Sequence, residues 1–401
     1  MSLTSKEIIE LTNKYGANNY APLEVVIQKA EGCWVWDPEG KKYLDMLSSY
    51  SAINHGHRHP EILKAMIEQT ERVTLTSRAF HNDRLYELLE KIAKVTKKEK
   101  VLPMNSGAEA VETALKIIRK WAYLKKGIPE NKAEIIVSGN NFHGRTITII
   151  SFSTEEQYKK GFGPFTPGFK VIPFGDIKVL EEAINENTAA FLTEPIQGEG
   201  GIIVPPEGFL KQAKELCEKH NVLLAVDEIQ TGLGRTGKMF AFEYDNIEPD
   251  VIIIGKALGG GVYPVSAVAC NNDIMDVIKP GDHGSTFGGN PLAAAVGVKS
   301  LEIIERDDLP GQAMEKGKYF MDELRKIDHP QIKEIRGRGL LIGLELHKGD
   351  KNAHDYCEEL REEGVLCKDT HDTVIRFAPP LVITKEEMDF ALDKIRKIFS
   401  K

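Results

Sequence analysis

A lysine and a carboxylate each follow directly after a predicted buried strand. The apolar run Val251–Ile254 predicts one short strand, which Gly255 ends just before Lys256. Further upstream, residues 222–226 predict a second strand, and Asp227 comes next in the chain. Because α/β folds bind ligands at the ends of their strands, the amine and the carboxylate are expected in one site.

An amine paired with a carboxylate meets the needs of a pyridoxal phosphate site. A lysine holds that cofactor as a Schiff base, and an acid partners its pyridinium nitrogen. The glycines at positions 259–261 let the chain turn tightly and approach a bulky ligand. A surface lysine and an ordinary strand-end acid would give the same two segments, so other parts of the chain have to decide between these interpretations.

The start of one predicted helix has the features of a phosphate-binding device. Residues 101–104 predict a strand before it, and Ser106 and Glu109 form an S-x-x-E capping box. Gly107 and Ala108, in the first turn, leave the amide hydrogens uncovered. Free N–H groups and the helix dipole favour a phosphate there, although an ordinary capped helix has the same pattern.

Three strand-end loops hold more side chains that can do chemistry. Residues 141–145 bring together an aromatic ring, a histidine and an arginine. Residues 193–201 place two carboxylates in a glycine-rich loop, and residues 227–232 add acids and an amide. As strand-end segments, all three are candidates for the same site.

A glycine motif at residues 232–237 resembles two nucleotide-binding fingerprints but lacks their context. The segment fits G-x-G-x-x-G and, with Lys238, nearly fits a P-loop. Met239 stands where a P-loop needs Ser or Thr for magnesium, and residues 240–244 do not read as a capped helix. A structural glycine loop is therefore predicted.

Three histidines, His55, His57 and His59, alternate along one short segment and could suggest a metal. Gly56 and Pro60 make that segment a loop with no fixed ligand geometry, and no acidic residue is adjacent. No metal is predicted.

Strands and helices alternate through the middle of the chain, which predicts an α/β fold with a largely parallel sheet covered on both faces. Further strands are predicted at residues 135–137, 146–152, 171–174, 190–193 and 265–269, and helices at 176–187 and 208–220. Later strands at 340–346, 365–367 and 374–377 predict a small α+β domain. A chain of 401 residues is too long for one core. The predicted division is an N-terminal segment, 1–50, that packs with the small domain, a large domain, 51–290, and the small domain, 291–401.

Composition and charge narrow the classes of function. The chain is 41% apolar and 28% charged, as in ordinary globular proteins. The net charge of −8 argues against nucleic-acid binding, and no apolar run reaches membrane-spanning length. The N-terminus lacks signal and transit features, and the five scattered cysteines fit free thiols in a reducing compartment. A cytoplasmic protein is therefore expected.

Together these stretches resemble the class III aminotransferases, a pyridoxal phosphate family of fold type I. The signature runs through residues 226–232 and 255–260, and flanking matches extend over nearly the whole chain. The resemblance implies a large domain with a mostly parallel seven-stranded sheet, and a smaller α+β domain. It also implies transamination with pyridoxal 5′-phosphate as the cofactor.

The resemblance implies a role for each residue near the cofactor. Lys256 would hold it and, once released, shuttle a proton, and Asp227 would keep the pyridine nitrogen protonated. Gln230 would reach the phenolic oxygen. Phe142 would stack on the ring, with His143 beside it and Glu194 nearby.

The phosphate would be bound from two chains. Ser106, Gly107 and Ala108 would bind it from the helix start. Ser285 and Thr286 would reach the phosphate of the neighbouring subunit's cofactor, which implies a homodimer with active sites at the subunit interface.

The implied substrates are L-ornithine and 2-oxoglutarate. Residues 15–20, 48–52 and 119–123 favour the members of the family that act on ornithine. N-acetylornithine is the nearest alternative substrate. Two other classes of function remain as alternatives. One is racemase or aminomutase chemistry, and the other is a non-catalytic binding protein. The sequence is compatible with arginine degradation and with proline biosynthesis.

The two half-reactions need one cation that is hidden in the first and exposed in the second. Ornithine has no carboxylate at its reacting carbon, whereas 2-oxoglutarate carries one beside its keto group. Arg376 paired with Glu199 would be masked, and Arg376 freed from it would grip a carboxylate bidentately. Arg145 would bind the far carboxylate, and Tyr20 and Tyr50 would position the α-amino end of ornithine.

Overall fold

Strands and helices alternate along most of the chain. The computed structural model describes residues 3–400. The strands in this part are β1 (Lys29–Glu31), β2 (Trp34–Trp36), β3 (Lys42–Asp45), β4 (Lys100–Met104), β5 (Glu134–Ser138), β6 (Phe169–Ile172), β7 (Thr188–Thr193), β8 (Leu223–Asp227), β9 (Val251–Ile254), β10 (Ser266–Cys270), β11 (Ile332–Arg338), β12 (Leu341–Leu346), β13 (Val365–Leu366), β14 (Lys368–Thr370) and β15 (Val374–Phe377).

The helices lie between and around these strands. The α-helices are Ser5–Tyr15, Pro60–Thr70, Leu85–Thr96, Gly107–Trp121, Ile147–Ser151, Glu156–Lys159, Ile177–Ala183, Phe209–Lys219, Asn272–Met275, Pro291–Arg306, Leu309–Leu324, Ala353–Glu362 and Lys385–Phe399. Short helices of other types span Ala122–Lys126, Ala241–Asp245 and Lys256–Gly259, and Ser48–Ser51 forms one turn with left-handed backbone angles. Within residues 3–400, no helix combines the length and the apolar character needed to cross a membrane.

A seven-stranded sheet forms the centre of the molecule, in the order β4-β10-β9-β8-β7-β5-β6. β10 is antiparallel to both of its neighbours, and the other adjacent pairs are parallel. Alternate residues of β8 enter two separate cores, with Leu224 and Val226 in one and Leu223 and Ala225 in the other. Both faces are therefore covered, and the predicted mostly parallel α/β sheet is confirmed.

Two smaller sheets lie outside the central one. β1, β2, β3 and β13 form a sheet in which β13 pairs in parallel with β3, so the N-terminal strands join a C-terminal one. Trp34 also donates a 2.7 Å hydrogen bond from Nε1 to Glu387. β11, β12, β15 and β14 form an antiparallel sheet. The domain boundaries at residues 50 and 290 stay a prediction.

One predicted strand is a helix in the structure, and one strand of the structure was not predicted. Residues 146–152, predicted as a strand from their β-branched run, form the helix Ile147–Ser151. The Thr146 hydroxyl caps this helix by accepting from Ile149 N at 3.2 Å and is itself held by Glu112 at 2.5 Å. The capping contacts outweigh strand propensity over so short a segment. β11 was not predicted, because its residues are mixed in polarity and only partly buried.

Candidate active site

A cavity of about 200 Å³ lies at the carboxyl ends of the central parallel strands. Nine residues predicted to bind cofactor or substrate line it: Gly107, Ala108, Phe142, His143, Glu194, Glu199, Asp227, Gln230 and Lys256. Gly144, Ile229 and Thr231 also contribute to its wall. Because most of these residues follow neighbouring strands, the sheet itself brings them together.

Lys256 follows β9 in a strained backbone conformation. Its φ of 47° is in the left-handed region, which a long side chain rarely adopts. Burial lowers the pKa of the Lys256 amine below its ordinary value, against the opposing charges of Glu199 and Asp227. The strained backbone and the more readily neutral amine are both typical of a reactive group at a functional site.

Asp227 is held by a buried histidine. His143 Nδ1 lies 2.7 Å from Asp227 Oδ2, and Ile229 N donates to the other carboxylate oxygen at 3.0 Å. Burial works to lower the pKa of His143, but the hydrogen bond and the charge of Asp227 raise it above its ordinary value. The hydrogen bond to His143 fixes the orientation of the Asp227 carboxylate in the cavity wall.

Glu194 supports the loop that carries Phe142. Its carboxylate accepts hydrogen bonds from Phe142 N at 3.1 Å and from Gly198 N at 3.3 Å. Burial raises the pKa of Glu194 to about 7, although the nearby charge of His143 opposes the rise. Its hydrogen bonds give this acid a function in holding two loops of the wall together.

The predicted capping box forms at the start of the helix Gly107–Trp121. Ser106 Oγ accepts from Glu109 N at 3.2 Å, and Glu109 Oε2 accepts from Ser106 N at 2.6 Å. The first N–H groups of a helix have no acceptor within it, so they are available to a ligand. A Cβ on Gly107 would approach Ile229 Cδ1 to 3.0 Å, which explains the small residue at this point in the wall.

These residues fit pyridoxal phosphate. A buried amine and an oriented carboxylate lie in one cavity with a helix start that suits a phosphate. Two buried polar atoms of the wall, Gln230 Oε1 and His143 Nε2, have no hydrogen-bond partner within residues 3–400. Buried polar atoms are normally satisfied, so these unpaired atoms favour a polar ligand in the cavity.

Arg376 and Glu199 form an ion pair at the edge of the cavity. Arg376 Nη1 donates to Glu199 Oε1 at 2.6 Å. Burial alone would raise the pKa of Glu199, but the charge and hydrogen bond of Arg376 lower it below its ordinary value. The guanidinium carbon of Arg376 also lies 4.7 Å from the centre of the Tyr50 ring. The pairing of Arg376 with Glu199 expected from the sequence is therefore present, and its role in masking the cation stays a prediction.

Tyr50 sits in a turn of unusual backbone geometry. Ser48, Ser49, Tyr50 and Ser51 have φ values of 45°, 48°, 59° and 74°, all in the left-handed region. Each such residue costs about 1–2 kcal/mol, so four in succession need support from outside the turn. Asp45 Oδ1 supplies part of it by accepting from Leu47 N and Ser48 N, each at 2.8 Å.

Besides Ser106, Tyr50 and Arg376, four predicted site residues do not line this cavity. Tyr20 is 78% exposed and lines, with Tyr50, a second cavity of about 350 Å³. Arg145 is exposed, and its guanidinium stacks 3.5 Å from the centre of the Tyr158 ring. Ser285 Oγ accepts from Asn105 Nδ2 at 2.9 Å, beside the predicted phosphate cradle, and Thr286 is exposed.

Tyr158 is the neighbour of this site that the sequence analysis missed. It lies in the short helix Glu156–Lys159, away from any strand end, so its place in the sequence did not mark it as a site residue. Its ring makes an edge contact with Phe142, at 6.3 Å between centroids, as well as the stack on Arg145.

Two of the three alternating histidines bind different partners. His55 Nε2 lies 3.0 Å from Ser300 O, and His57 Nε2 lies 2.8 Å from Asp45 Oδ2. Residues 3–400 hold no cluster of three or more side chains arranged to bind a metal ion.

Comparison with known proteins places this site in a family. The family model for class III aminotransferases matches residues 15–399. The chain belongs to the class III aminotransferases. As a member of that family it is a pyridoxal phosphate-dependent transferase, so the predicted enzyme class and cofactor are confirmed.

Three known aminotransferases are similar to this chain over nearly their whole length. The ornithine aminotransferase of Geobacillus sp. (strain WCH70) is 62% identical over 400 residues and covers 100% of both chains. A structure of the ornithine aminotransferase of Toxoplasma gondii, described with partial occupancy of PLP, has a TM-score of 0.98 at 49% identity, covering 99% of this chain and 94% of that one. The acetylornithine aminotransferase of Elizabethkingia anophelis has a TM-score of 0.91 at 49% identity and covers 100% of both chains.

Proposed function

We propose that this enzyme is an ornithine aminotransferase. It moves the 5-amino group of L-ornithine to 2-oxoglutarate and forms glutamate and glutamate 5-semialdehyde, which cyclises to pyrroline-5-carboxylate. The 2.6 Å pair of Arg376 with Glu199, at the edge of the Lys256 cavity, supports an amino donor that has no carboxylate at its reacting carbon. The 62% identity to a relative of that name supports it.

Two groups in the cavity serve the chemistry directly. Bound pyridoxal phosphate supplies the electron sink that lets an amino group pass between carbon skeletons. Lys256 would hold it covalently and, once released, would move a proton at the substrate's reacting carbon, for which a lowered amine pKa is suited. Asp227, oriented by His143, would hold the proton on the ring nitrogen.

Other residues orient the cofactor. Phe142 would pack against its ring, Gln230 would bind its phenolic oxygen, and Glu194 holds the Phe142 loop in place. Ser106, Gly107 and Ala108 would bind its phosphate at the helix start. Ser285 and Thr286 act on the phosphate in a second copy of the chain, so the working unit is a homodimer. We place the enzyme in the cytoplasm, as its cysteine usage suggests.

The Arg376–Glu199 pair lets one site accept two unlike substrates. While the pair is closed, no free cation faces the reacting carbon of ornithine, which carries no carboxylate. When Glu199 moves away, Arg376 can bind the carboxylate beside the keto group of 2-oxoglutarate. Arg145 binds the far carboxylate of both substrates, and Tyr20 and Tyr50 position the α-amino end of ornithine.

Acetylornithine aminotransferase is the second candidate. The Elizabethkingia anophelis enzyme of that name matches this chain end to end at 49% identity. Arg145, Glu199 and Arg376 would serve either substrate equally well. Tyr50 is the residue that separates the two, because its hydroxyl suits the free α-amino group that acetylation removes.

A product assay tests the proposal. Purified, cofactor-loaded enzyme is given 2-oxoglutarate with either ornithine or N-acetylornithine, and pyrroline-5-carboxylate and glutamate are measured. Ornithine should give both products with the higher kcat/KM. Turnover of N-acetylornithine without pyrroline-5-carboxylate from ornithine would assign the enzyme to the second candidate.

A further inference from the structure

The glycine loop at residues 232–237 contains a fully buried arginine that the proposed chemistry does not use. Arg235 is 0% exposed, and its four hydrogen bonds all go to neutral oxygen atoms. Burial lowers the pKa of its guanidinium to about 9. Burying a cation without a hydrogen-bonded anion is costly, so the position calls for a reason beyond filling space.

The two ends of the guanidinium hold two different parts of the chain. Nη2 donates to Ser48 Oγ at 2.9 Å and to Asn54 Oδ1 at 2.7 Å, on either side of Tyr50. Nη1 donates to Pro379 O at 2.6 Å and to Leu340 O at 2.9 Å. Pro379 follows the strand of Arg376, and Leu340 precedes the strand that pairs with it.

The same two parts of the chain are also bound to each other. Ser48 Oγ donates to Ala378 O at 2.7 Å, and Ala378 N donates to Met46 O at 2.7 Å. Leu381 N donates to Asn54 O at 2.9 Å. Arg235 therefore closes a buried network that joins the glycine loop, the left-handed turn and the segment after β15.

We propose that Arg235 is a positioning residue for substrate selection, which fixes the turn carrying Tyr50 against the end of the strand carrying Arg376. Arg235 lines neither cavity, so it acts through those two residues. The planar shape of the guanidinium is essential, because Nη1 and Nη2 must donate hydrogen bonds to acceptors that lie in two directions. A lysine offers a single nitrogen on a flexible stem and cannot do so. The proposal rests on the proposed function, which assigns Tyr50 and Arg376 to the substrates.

Arg235→Lys in the full-length, cofactor-loaded enzyme tests the proposal. We expect the KM values for ornithine and 2-oxoglutarate to rise about tenfold or more, with kcat at saturation and cofactor content changed much less. A purely structural residue would lower the melting temperature and leave the KM values of loaded enzyme unchanged. Unchanged KM values would therefore overturn the proposal.

Two further variants keep the test decisive. Leu180→Ala removes a fully buried side chain in Ile177–Ala183, a helix that packs on β6 and on Phe209–Lys219. It should lower the melting temperature without moving either KM. If Arg235→Lys does not fold, Ser48→Ala takes its place, since it removes only one acceptor of the guanidinium. Ser48→Ala should raise the ornithine KM severalfold, and an unchanged KM would contradict the proposal.

A binding measurement separates this proposal from the proposed function. Glutarate is an unreactive dicarboxylate that needs Arg376 but no ornithine chemistry, and calorimetry gives its Kd in wild type and Arg235→Lys. If the wild-type enzyme forms no product from ornithine, the proposed function alone is refuted. Equal glutarate Kd values in the two proteins would refute the role of Arg235 alone.

Discussion

Arg376 donates a 2.6 Å hydrogen bond to Glu199 at the edge of the Lys256 cavity. Arg376 is 1% exposed and lies within β15, whereas the Glu199 side chain is 27% exposed on a glycine-rich loop. The strand fixes the cation, and the loop leaves the carboxylate freer to move. We therefore expect Glu199 to be the half of the pair that opens when a substrate carboxylate competes for Arg376.

Glu199→Gln should impair ornithine selectively. The neutral amide no longer masks Arg376, so kcat/KM for ornithine should fall about tenfold or more, because a charge-assisted bond is lost. The glutamate half-reaction should fall much less, because it uses the unmasked cation. Stopped-flow measurement of each half-reaction gives both rates. Glu61→Gln, which removes an exposed pair with Arg306 at 2.9 Å, is the control and should change neither. An equal fall in both rates would remove Glu199 as a switch.

The stack of Arg145 on Tyr158 predicts a graded effect on both substrates. Arg145→Met should raise both KM values roughly 10- to 100-fold, because hydrogen bonds to a carboxylate are lost. Tyr158→Leu should raise both about two- to fivefold, the value of an exposed cation–π contact. Tyr158→Phe keeps the ring and should resemble wild type. A large effect of Tyr158→Phe with none from Tyr158→Leu would show that the stack does not position Arg145.

Most of the central fold and the cavity could be predicted because strand ends carry strong local signals. Val251–Ile254 is a continuous apolar run, and a sheet with helices on both faces requires such runs. Asp227 ends β8 and Lys256 lies two residues after the end of β9, so correctly predicted strands also gave the positions of these two residues. Residues 146–152 show the limit of this reasoning. Their β-branched composition predicted a strand, but they form a helix that the Thr146 hydroxyl caps.

The rest of the site depends on contacts that a linear pattern does not carry. Nothing in the spacing of Arg235 predicted a buried guanidinium with acceptors as distant in sequence as Ser48 and Pro379. Residues 48–51 have left-handed backbone angles but include no glycine, the residue type that would have indicated such angles in the sequence. Tyr158 reaches Arg145 from a short helix, and no periodicity marks it.

The backbone angle of Tyr50 predicts an uncommon outcome for Tyr50→Gly. Glycine accepts a φ of 59° without strain, so the variant should keep a melting temperature close to that of wild type despite the lost ring. It should still lower kcat/KM for ornithine more than for N-acetylornithine, because only ornithine offers a free α-amino group. Tyr50→Phe keeps the ring and separates the hydroxyl from the packing. Equal losses on both substrates would exclude Tyr50 as the discriminator.

Glu228 predicts a pH dependence of stability. It is buried, accepts from Phe242 N at 2.9 Å and Thr231 Oγ1 at 2.5 Å, and burial raises its pKa from 4.5 to about 7. Between these two values the folded protein keeps a proton that the unfolded chain has released. The free energy of unfolding therefore falls as pH rises through this window, and the effect levels off above it.

Glu228→Gln isolates this effect because the amide does not titrate. The free energy of unfolding of wild type relative to the variant should decrease by about 1–3 kcal/mol as pH rises from about 5 to about 7. Glu194, whose pKa is also raised to about 7, is present in both proteins and cancels in the difference. Calorimetric melting of both proteins across this range provides the measurement. A difference that stays constant, or that grows in favour of wild type as pH rises, would contradict a neutral Glu228 in the folded enzyme.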